Sequence, residues 1–343
     1  MVREISAILV SWRDGDEARE AIASLARARR RIPAGGPRVS LVVVDNGGAL
    51  VRSDVLSLWP EASILVNGRN VGFGPAANQA AEVAAGDVLF FVNPDSRAEG
   101  EPFAEIARAF EIHPEAVALA PRLLDFDDPG VSQIANRRPL APPDQEDQFT
   151  FQLRHLPGLA SDARELLLID HFLPDNRWRR RFRYADRDRN AFFEVEQAAA
   201  AALAVRQAAF RRAGGFDERF APAWFEDVDL CARLLKQGKI LYWPGASLRH
   251  RGGVSSQALG YGRFLPIYYR NALRYRRLRY SIGTRILYRL LLITGMVLRL
   301  IALPFRPTVP RPRRESARAY LGVLGLALGF SKSQFTIHNS QFP

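Results

Sequence analysis

Two polar clusters in this sequence are spaced for chemistry. The first is Asn93-Pro94-Asp95, which closes the apolar run at residues 88–92. Pro94 cannot donate to a sheet ladder, so a strand must stop there, with Asn93 and Asp95 at its carboxyl end. A carboxylate in that place is a natural ligand for a hard divalent cation carrying a nucleotide diphosphate. The plainer alternative is a turn that caps a following helix. The second set is Glu226-Asp227-Val228-Asp229, with Trp224-Phe225 before it and Leu230 and Leu234 behind. The helix dipole favours acids in a first turn. Three so close cannot all face one side, so one is expected to point into an aromatic-lined cleft. Two further groups stand at strand ends. Asp45 follows the apolar residues 39–44 and can accept the imide N–H of a base, accept a ribose hydroxyl, or simply hold the turn before Asn46-Gly47. His250, followed by Arg251-Gly252-Gly253, ends residues 246–248.

The elements that must position these groups alternate. Residues 5–10, 39–44, 62–66 and 88–92 are apolar runs that read as buried strands, and 116–120 as a further strand. Helical spacing covers 14–31, 54–58, 76–85 and 103–110, with Pro75 suited to a first helical position. This pattern predicts a doubly wound, Rossmann-like α/β sheet, whose carboxyl edge is where ligands bind. The glycine-rich stretch from Asn67 to Pro75 would open a helix whose N-terminus favours a negative group. There is no GxGxxG after the first strand and no GxxxxGK[ST] anywhere, so neither dinucleotide nor P-loop binding is supported. Residues 125–190 lose the pattern. They read as an insertion or flexible acceptor-side segment, with five arginines between Arg177 and Arg183. Structure resumes at 194–205, where the alanine run implies that something bulky packs against the backbone. A helix at 206–213, a turn at Gly214-Gly215, a helix from Trp224 to Gln237 and strands at 240–243 and 246–248 follow.

The chain of 343 residues has globular composition and one cysteine, Cys231, which excludes an internal disulfide and suits a reducing compartment. No signal peptide is expected, because the first apolar run is short and enters Ser11-Trp12-Arg13-Asp14. The net charge of +12 is segregated. Residues 230–343 carry 20 Lys and Arg against the single acid Glu315, whereas the first 229 residues sum to −7. So basic a segment seeks a polyanion, either nucleic acid or an anionic bilayer. Nucleic acid would leave the strand-end acids unexplained.

The ordered set Asp45-Asn46, Asn70-Val71-Gly72-Phe73, Asn93-Pro94-Asp95, Gly214-Gly215-Phe216-Asp217-Glu218, Glu226-Asp227-Val228-Asp229 and His250-Arg251-Gly252-Gly253 resembles the inverting family 2 glycosyltransferases, in particular the rhamnosyltransferase-like group. The resemblance implies a GT-A fold, a mixed Rossmann-like sheet flanked by helices. It divides the chain into residues 1–267 (a nucleotide-binding half, 1–125, and an acceptor half, 126–267) and a basic, apolar helical extension, 268–343. It implies transfer of a sugar such as rhamnose from a nucleotide-diphosphate donor to an acceptor hydroxyl in cell-envelope polysaccharide or glycolipid synthesis. On this resemblance Asp227 is the catalytic base, and Ser11, Asp45, Asn70, Asn93 and Arg251 contact the nucleotide sugar. Trp224 and Glu226 lie on the acceptor side, and Asp95 and His250 hold Mg²⁺ or Mn²⁺. Asn93 stands where the family's DxD motif has its first acid, so the metal is expected to be weakly held. Ala198 to Ala202 stand where relatives carry a glycine, which would narrow the acceptor site. The alternatives are a catalytically silent nucleotide-sugar-binding protein or a nucleic-acid binder.

In the extension, residues 268–279 are dense in aromatics and arginine, and residues 286–305 are apolar but for a few positions such as Arg289 and Arg299. On a wheel, Arg285, Arg289 and Arg299 share a sector about 80° wide. That predicts a helix lying in the interface of the cytoplasmic membrane, with its arginines towards anionic headgroups. A helix packed on the enzyme's own core is the alternative, and a proline-rich linker would separate it from a second apolar segment at 319–330.

Overall fold

The computed structural model describes residues 1–126, 148–252, 260–305 and 312–330. Gly253 and residues 306–311 of the expected linker lie outside them. Strands β1 (Glu4–Ser11), β2 (Arg38–Asp45), β3 (Ser63–Val66) and β4 (Val88–Val92) are parallel, with helices α1 (Gly15–Arg30), α2 (Arg52–Leu58) and α3 (Phe73–Val83) between them. The expected alternation is what forms. β4 is buried along its whole length because both faces of the sheet are covered. α3 starts earlier than expected, at Phe73, so Pro75 is its third residue, where its missing N–H has no intrahelical acceptor to lose.

The chain continues through β5 (Ser96–Glu99), helix α4 (Pro102–Ile112), β6 (Ala116–Leu124), β7 (Leu153–Arg154), β8 (Phe193–Glu194), β9 (Gln197–Ala198), β10 (Ala202–Arg206) and β11 (Lys239–His250). Its strand order is β3-β2-β1-β4-β10-β6-β11-β5, with β8 also on β11, while β7 and β9 form a separate pair. β10 is antiparallel to both neighbours, β4 and β6, and β6 is parallel to β11. The carboxyl ends of β1, β2, β4 and β11 therefore share one edge with the amino end of β10. A mixed sheet, rather than a wholly parallel one, results.

Two expectations change. Residues 240–243 and 246–248 belong to one strand, β11, with an irregularity between Trp243 and Ser247. The stretch expected to be formless contains α5 (Gln148–Gln152), α6 (Leu159–Leu166), α7 (Ile169–Phe172) and α8 (Arg177–Phe182), of which residues 127–147 lie outside the described part. Helices α9 (Gln207–Ala213) and α10 (Glu226–Leu234) follow, α10 ending three residues sooner than expected.

Among the described residues three long helices come last: α11 (Tyr261–Arg279), α12 (Ile282–Ala302) and α13 (Arg313–Leu328). α11 runs unbroken through the expected division at 267/268. These helices share a core with Phe220, Phe225 and Val228, beside the acidic helix α10. The expected orientation of α12 is overturned. Arg299 is 1% exposed and donates to the carbonyls of Leu166, Glu165 and Gly295. Leu166 and Glu165 end α6, so the guanidinium satisfies last-turn carbonyls and the negative end of that helix. Gly295 permits the approach: a Cβ there would stand 2.7 Å from the Leu166 oxygen. Arg289, at the rim, reaches the Ala327 carbonyl at the end of α13. The arginine sector is thus the side that packs on the protein, alongside buried Tyr288, Leu292 and Met296, and the exposed side carries Ile282, Ile286, Leu290, Val297 and Ile301.

Arg299→Leu should lower unfolding stability by about 1–3 kcal/mol, because it strands the buried Leu166 carbonyl and takes a donor from the part-buried Glu165 carbonyl. Urea unfolding measures this, and a loss under about 0.5 kcal/mol would show that the Leu166 carbonyl finds another donor.

Candidate active site

The register of β5 on β11 opposes His250 to Ser96 and so sets His250 beside Asp95. Asp95 is buried, its carbonyl accepts from the Arg251 N–H at 3.0 Å, and its Oδ1 lies 3.2 Å from His250 Nε2. Burial pushes the Asp95 carboxyl up. With the facing imidazole protonated, its charge and the backbone N–H groups outweigh this and leave the Asp95 pKa below the ordinary value. His250 Nδ1 lies 2.7 Å from Gln148 Oε1, which places the proton of a neutral ring on Nδ1. Nε2, buried and without a well-formed hydrogen bond, then turns a lone pair on a carboxylate oxygen. Two acceptors so opposed call for a proton or a cation between them, and this fits a divalent metal. Among the described residues no three His, Cys, Asp or Glu converge on one such point, so Asp95 and His250 would be two ligands of an otherwise open site.

The other donor-side candidates are tied into their own loops. Ser11 is fully buried and its Oγ donates to Asp14 Oδ1 at 2.6 Å. Asp45 accepts from the N–H groups of Gly48, Ala49 and Leu50, the turn-holding arrangement, with lone-pair capacity left on Oδ2. Asn70 Oδ1 accepts from Gly72 N and from Asn46 Nδ2, while Asn46 Oδ1 accepts from Asn67 and Val71. Arg251 pairs with Glu17 at 2.8 Å, and Glu17 also pairs with Arg97, whose guanidinium holds the Pro94 carbonyl. Residues not anticipated are Asn46, the hub of the 67–72 loop, and Asp14. Burial, with the charge of Asp95 adding, pushes the Asp14 carboxyl up to about 6 against its hydrogen bonds from Ser11 and Trp12. Their signal was present in Asp45-Asn46 and in the polar end of the first apolar run.

At the start of α10 Glu226 and Asp229 are buried and Asp227 is half-buried. The inward acids are therefore more than one. Asp229 accepts from Arg233 and Arg279, a structural bridge from α10 to α11. Burial raises the pKa of both Glu226 and Asp227, and the charge of Asp227 lifts Glu226 well above its ordinary value. Arg154 and the N–H groups of Val228 and Ala200 oppose that rise at Asp227, which makes Asp227 the readier of the two to ionise. Arg154 carries no sequence signal, since only the pairing of β7 with β9 brings it here. Trp224 meets Phe264 edge-on, and Trp224 and Phe225 both adopt positive φ, +71° and +76°. Such conformations in non-glycine residues cost on the order of 1–3 kcal/mol each.

One dipeptide joins the two clusters. The Ala200 N–H serves Asp227, and the Ala201 carbonyl accepts from the Asn93 N–H at 3.0 Å. The bulky neighbour of the alanine run is α10, whose Cys231 Sγ lies 3.6 Å from the Ala198 carbonyl. Residues 6–193, more than half of the chain, match the model of glycosyl transferase family 2. The chain belongs to that family. As a family 2 glycosyltransferase it is an enzyme of sugar transfer, and its GT-A fold agrees with solved structures. GalNAc-T7 with UDP, GalNAc and Mn²⁺ superposes with a TM-score of 0.52 at 13% identity, over 85% of this chain and 51% of that one. This chain thus spans about half of GalNAc-T7. The mannosyltransferase PcManGT of Pyrobaculum calidifontis, with GDP-Man and Mn²⁺, gives 0.51 at 13% identity over 96% and 88%. In sequence the chain is 27% identical, over 269 residues, to an N-acetylglucosaminyl-diphospho-decaprenol L-rhamnosyltransferase of Mycobacterium tuberculosis, with 75% of this chain and 78% of the relative covered.

The acid limb of the kcat–pH profile should lie above the ordinary aspartate range, because the Asp227 pKa is raised. Arg154→Met removes a charge that stabilises the carboxylate and should move the limb to higher pH. An unmoved limb would separate Arg154 from the ionisation that governs turnover.

Proposed function

We propose that this family 2 enzyme transfers a sugar, with L-rhamnose favoured, from a nucleotide-diphosphate donor to a hydroxyl of a lipid-linked glycan acceptor in cell-envelope synthesis. The observation that carries this is the Ala200–Ala201 link, which sets the Asn93–Asp95–His250 cluster and the Glu226–Asp227 pair on opposite sides of two residues. The rhamnosyltransferase relatives, named for a diphospho-decaprenol acceptor, support the choice of sugar and acceptor.

Asp227, as its carboxylate, takes the proton of the acceptor hydroxyl as that oxygen attacks the anomeric carbon, and in-line attack inverts the configuration. Trp224 offers an aromatic face on the acceptor side. Asp95 and His250 would hold a Mg²⁺ or Mn²⁺ ion, which supplies positive charge to the leaving diphosphate. Asn93 adds a neutral oxygen rather than a second carboxylate, consistent with weak cation binding. Arg251, within reach of Glu17, is the basic group available to the donor from this side, and Ser11, Asp45 and Asn70 act by shaping the loops around the nucleotide.

The test is a panel of nucleoside-diphosphate sugars, L-rhamnose among them, offered with a polyprenyl-diphosphate N-acetylglucosamine acceptor. Release of nucleoside diphosphate is scored with and without Mn²⁺. Asp227→Asn should keep donor binding and lower turnover on the order of 10²–10⁴-fold. Near-wild-type transfer by a folded Asp227→Asn protein would remove Asp227 from the mechanism.

We further infer that the enzyme works as a peripheral protein on the cytoplasmic face of the membrane, where its acceptor lies. α12, extended to Phe305, is the one helix among the described residues long and apolar enough to cross a bilayer. Its exposed aliphatic side supports contact with acyl chains rather than with headgroups. Binding to anionic liposomes should therefore survive high salt and fall in the triple variant Ile286→Ser, Leu290→Ser, Ile301→Ser. Complete release by salt alone would return the attraction to arginine electrostatics.

A further inference from the structure

We propose that Asn271 and Arg270, in the aromatic and basic stretch of α11, are positioning residues for the catalytic loop, a role that rests on Asp227 being the base. Among the described residues the loop from Arg219 to Trp224 pairs with no strand, yet every one of its carbonyls is taken from outside. Asn271, fully buried, donates through Nδ2 to Phe220 at 2.6 Å, Ala223 at 2.9 Å and Trp224 at 3.0 Å. Two hydrogens serve three acceptors, so at least one is shared. Arg270 Nη2 donates to the Ala221 carbonyl at 2.9 Å, and Arg274 Nη1 donates to the Arg219 carbonyl and to Asn271 Oδ1. The remaining carbonyl, Pro222, accepts from the Phe73 N–H at the start of α3. There Gly72, at φ +99°, leaves room that a Cβ would fill, 3.1 Å from both the Ala221 Cβ and the Pro222 oxygen.

This grip ends where the strain begins. Trp224 and Phe225 sit in the left-handed region, and the next two residues are Glu226 and Asp227. A loop left to itself would relax both aromatics to negative φ and rotate the first turn of α10 with them. With its carbonyls held, the loop presents the two acids towards Ala200, whose N–H helps hold the Asp227 carboxyl down. α11 supplies the grip from one helical turn, residues 270, 271 and 274. The Asn271–Phe220 hydrogen bond is buried and those to Ala221, Ala223 and Trp224 are part-buried, so losing the donor leaves the Phe220 carbonyl without a partner in the interior. The stretch that the sequence presents as a polyanion-seeking patch instead turns part of its polar chemistry inward, onto the loop that carries the base.

The test uses the full-length protein, a nucleoside-diphosphate L-rhamnose donor and hydrogen exchange. In Asn271→Ala, kcat should fall about 10–100-fold, the loss expected when a reacting group is misplaced by about an ångström. The donor KM should stay within about twofold. Amide exchange should rise across residues 223–229 but not across 39–45. Arg270→Leu keeps the apolar stem and should give the same split, several-fold in kcat. A folded Asn271→Ala enzyme with wild-type kcat, or a kcat loss matched by loss of donor affinity and protection throughout the sheet, would overturn the proposal. Should Asn271→Ala fail to fold, Arg270→Leu decides by the same criteria. If the wild-type protein transfers no sugar from any donor, the functional reading fails, and the exchange contrast alone upholds or overturns the grip.

Discussion

The short connection from β4 to β5 constrains the rest of the molecule. Only Asn93, Pro94 and Asp95 separate the two strands, and so few residues span about 10–14 Å. Four strand spacings of about 4.8 Å each lie between them in the sheet order. A flat sheet cannot satisfy both, so the far half curls over its own carboxyl edge. That curl carries the end of β11 back to β4 and sets His250 against Asp95, 155 positions earlier in the chain. Arg97 secures the crossing by holding the carbonyls of Pro94 and Ser96 and pairing with Glu17 and Glu20 on α1. The candidate metal ligands are therefore a consequence of chain length as much as of side-chain chemistry.

The antiparallel β10 makes the second contribution. It enters between two strands that run the other way, so its amino end, rather than a carboxyl end, arrives at the ligand edge. The alanines leading into it are buried and small. They let α10 lie close, so the backbone of Ala200 and Ala201 can serve Asp227 on one side and Asn93 on the other. A side chain much larger than methyl would separate the two clusters. The same close packing removes water from Glu226 and Asp227, which raises both carboxyls, and the charge of Asp227 raises Glu226 further.

The C-terminal helices show how charge can mislead when its partners are far away in sequence. Nearly every basic residue after Leu230 lacks an acid nearby in the chain, which reads as a surface seeking anions. Much of that charge is used internally. Arg299 and Arg289 reach helix-end carbonyls, Arg276 pairs with Asp162, and Arg279 pairs with Asp229. The surface left outward on α12 is aliphatic. The helix is amphipathic as its wheel suggests, with the polarity of its two faces exchanged.

Local order was legible from the residues alone. Continuous apolar runs, helical spacing and the proline in Asn93-Pro94-Asp95 determined the parallel strands, the intervening helices and the place where β4 must stop, because these depend on neighbours a few residues away. The ordered motifs likewise marked Asp95, His250 and the Glu226–Asp227 pair. Tertiary structure alone decided which side chains meet. Ser11, Asp45 and Asn70 are taken up by hydrogen bonds to their own loops. Asp14, Asn46 and Arg154 enter the site through pairings of distant strands, and Arg299 faces inward because α6 ends where α12 passes. Spacing specifies the direction of a side chain from its own element. It does not specify which buried carbonyl or carboxylate will stand opposite, and in a low-dielectric interior that partner determines what a polar group does.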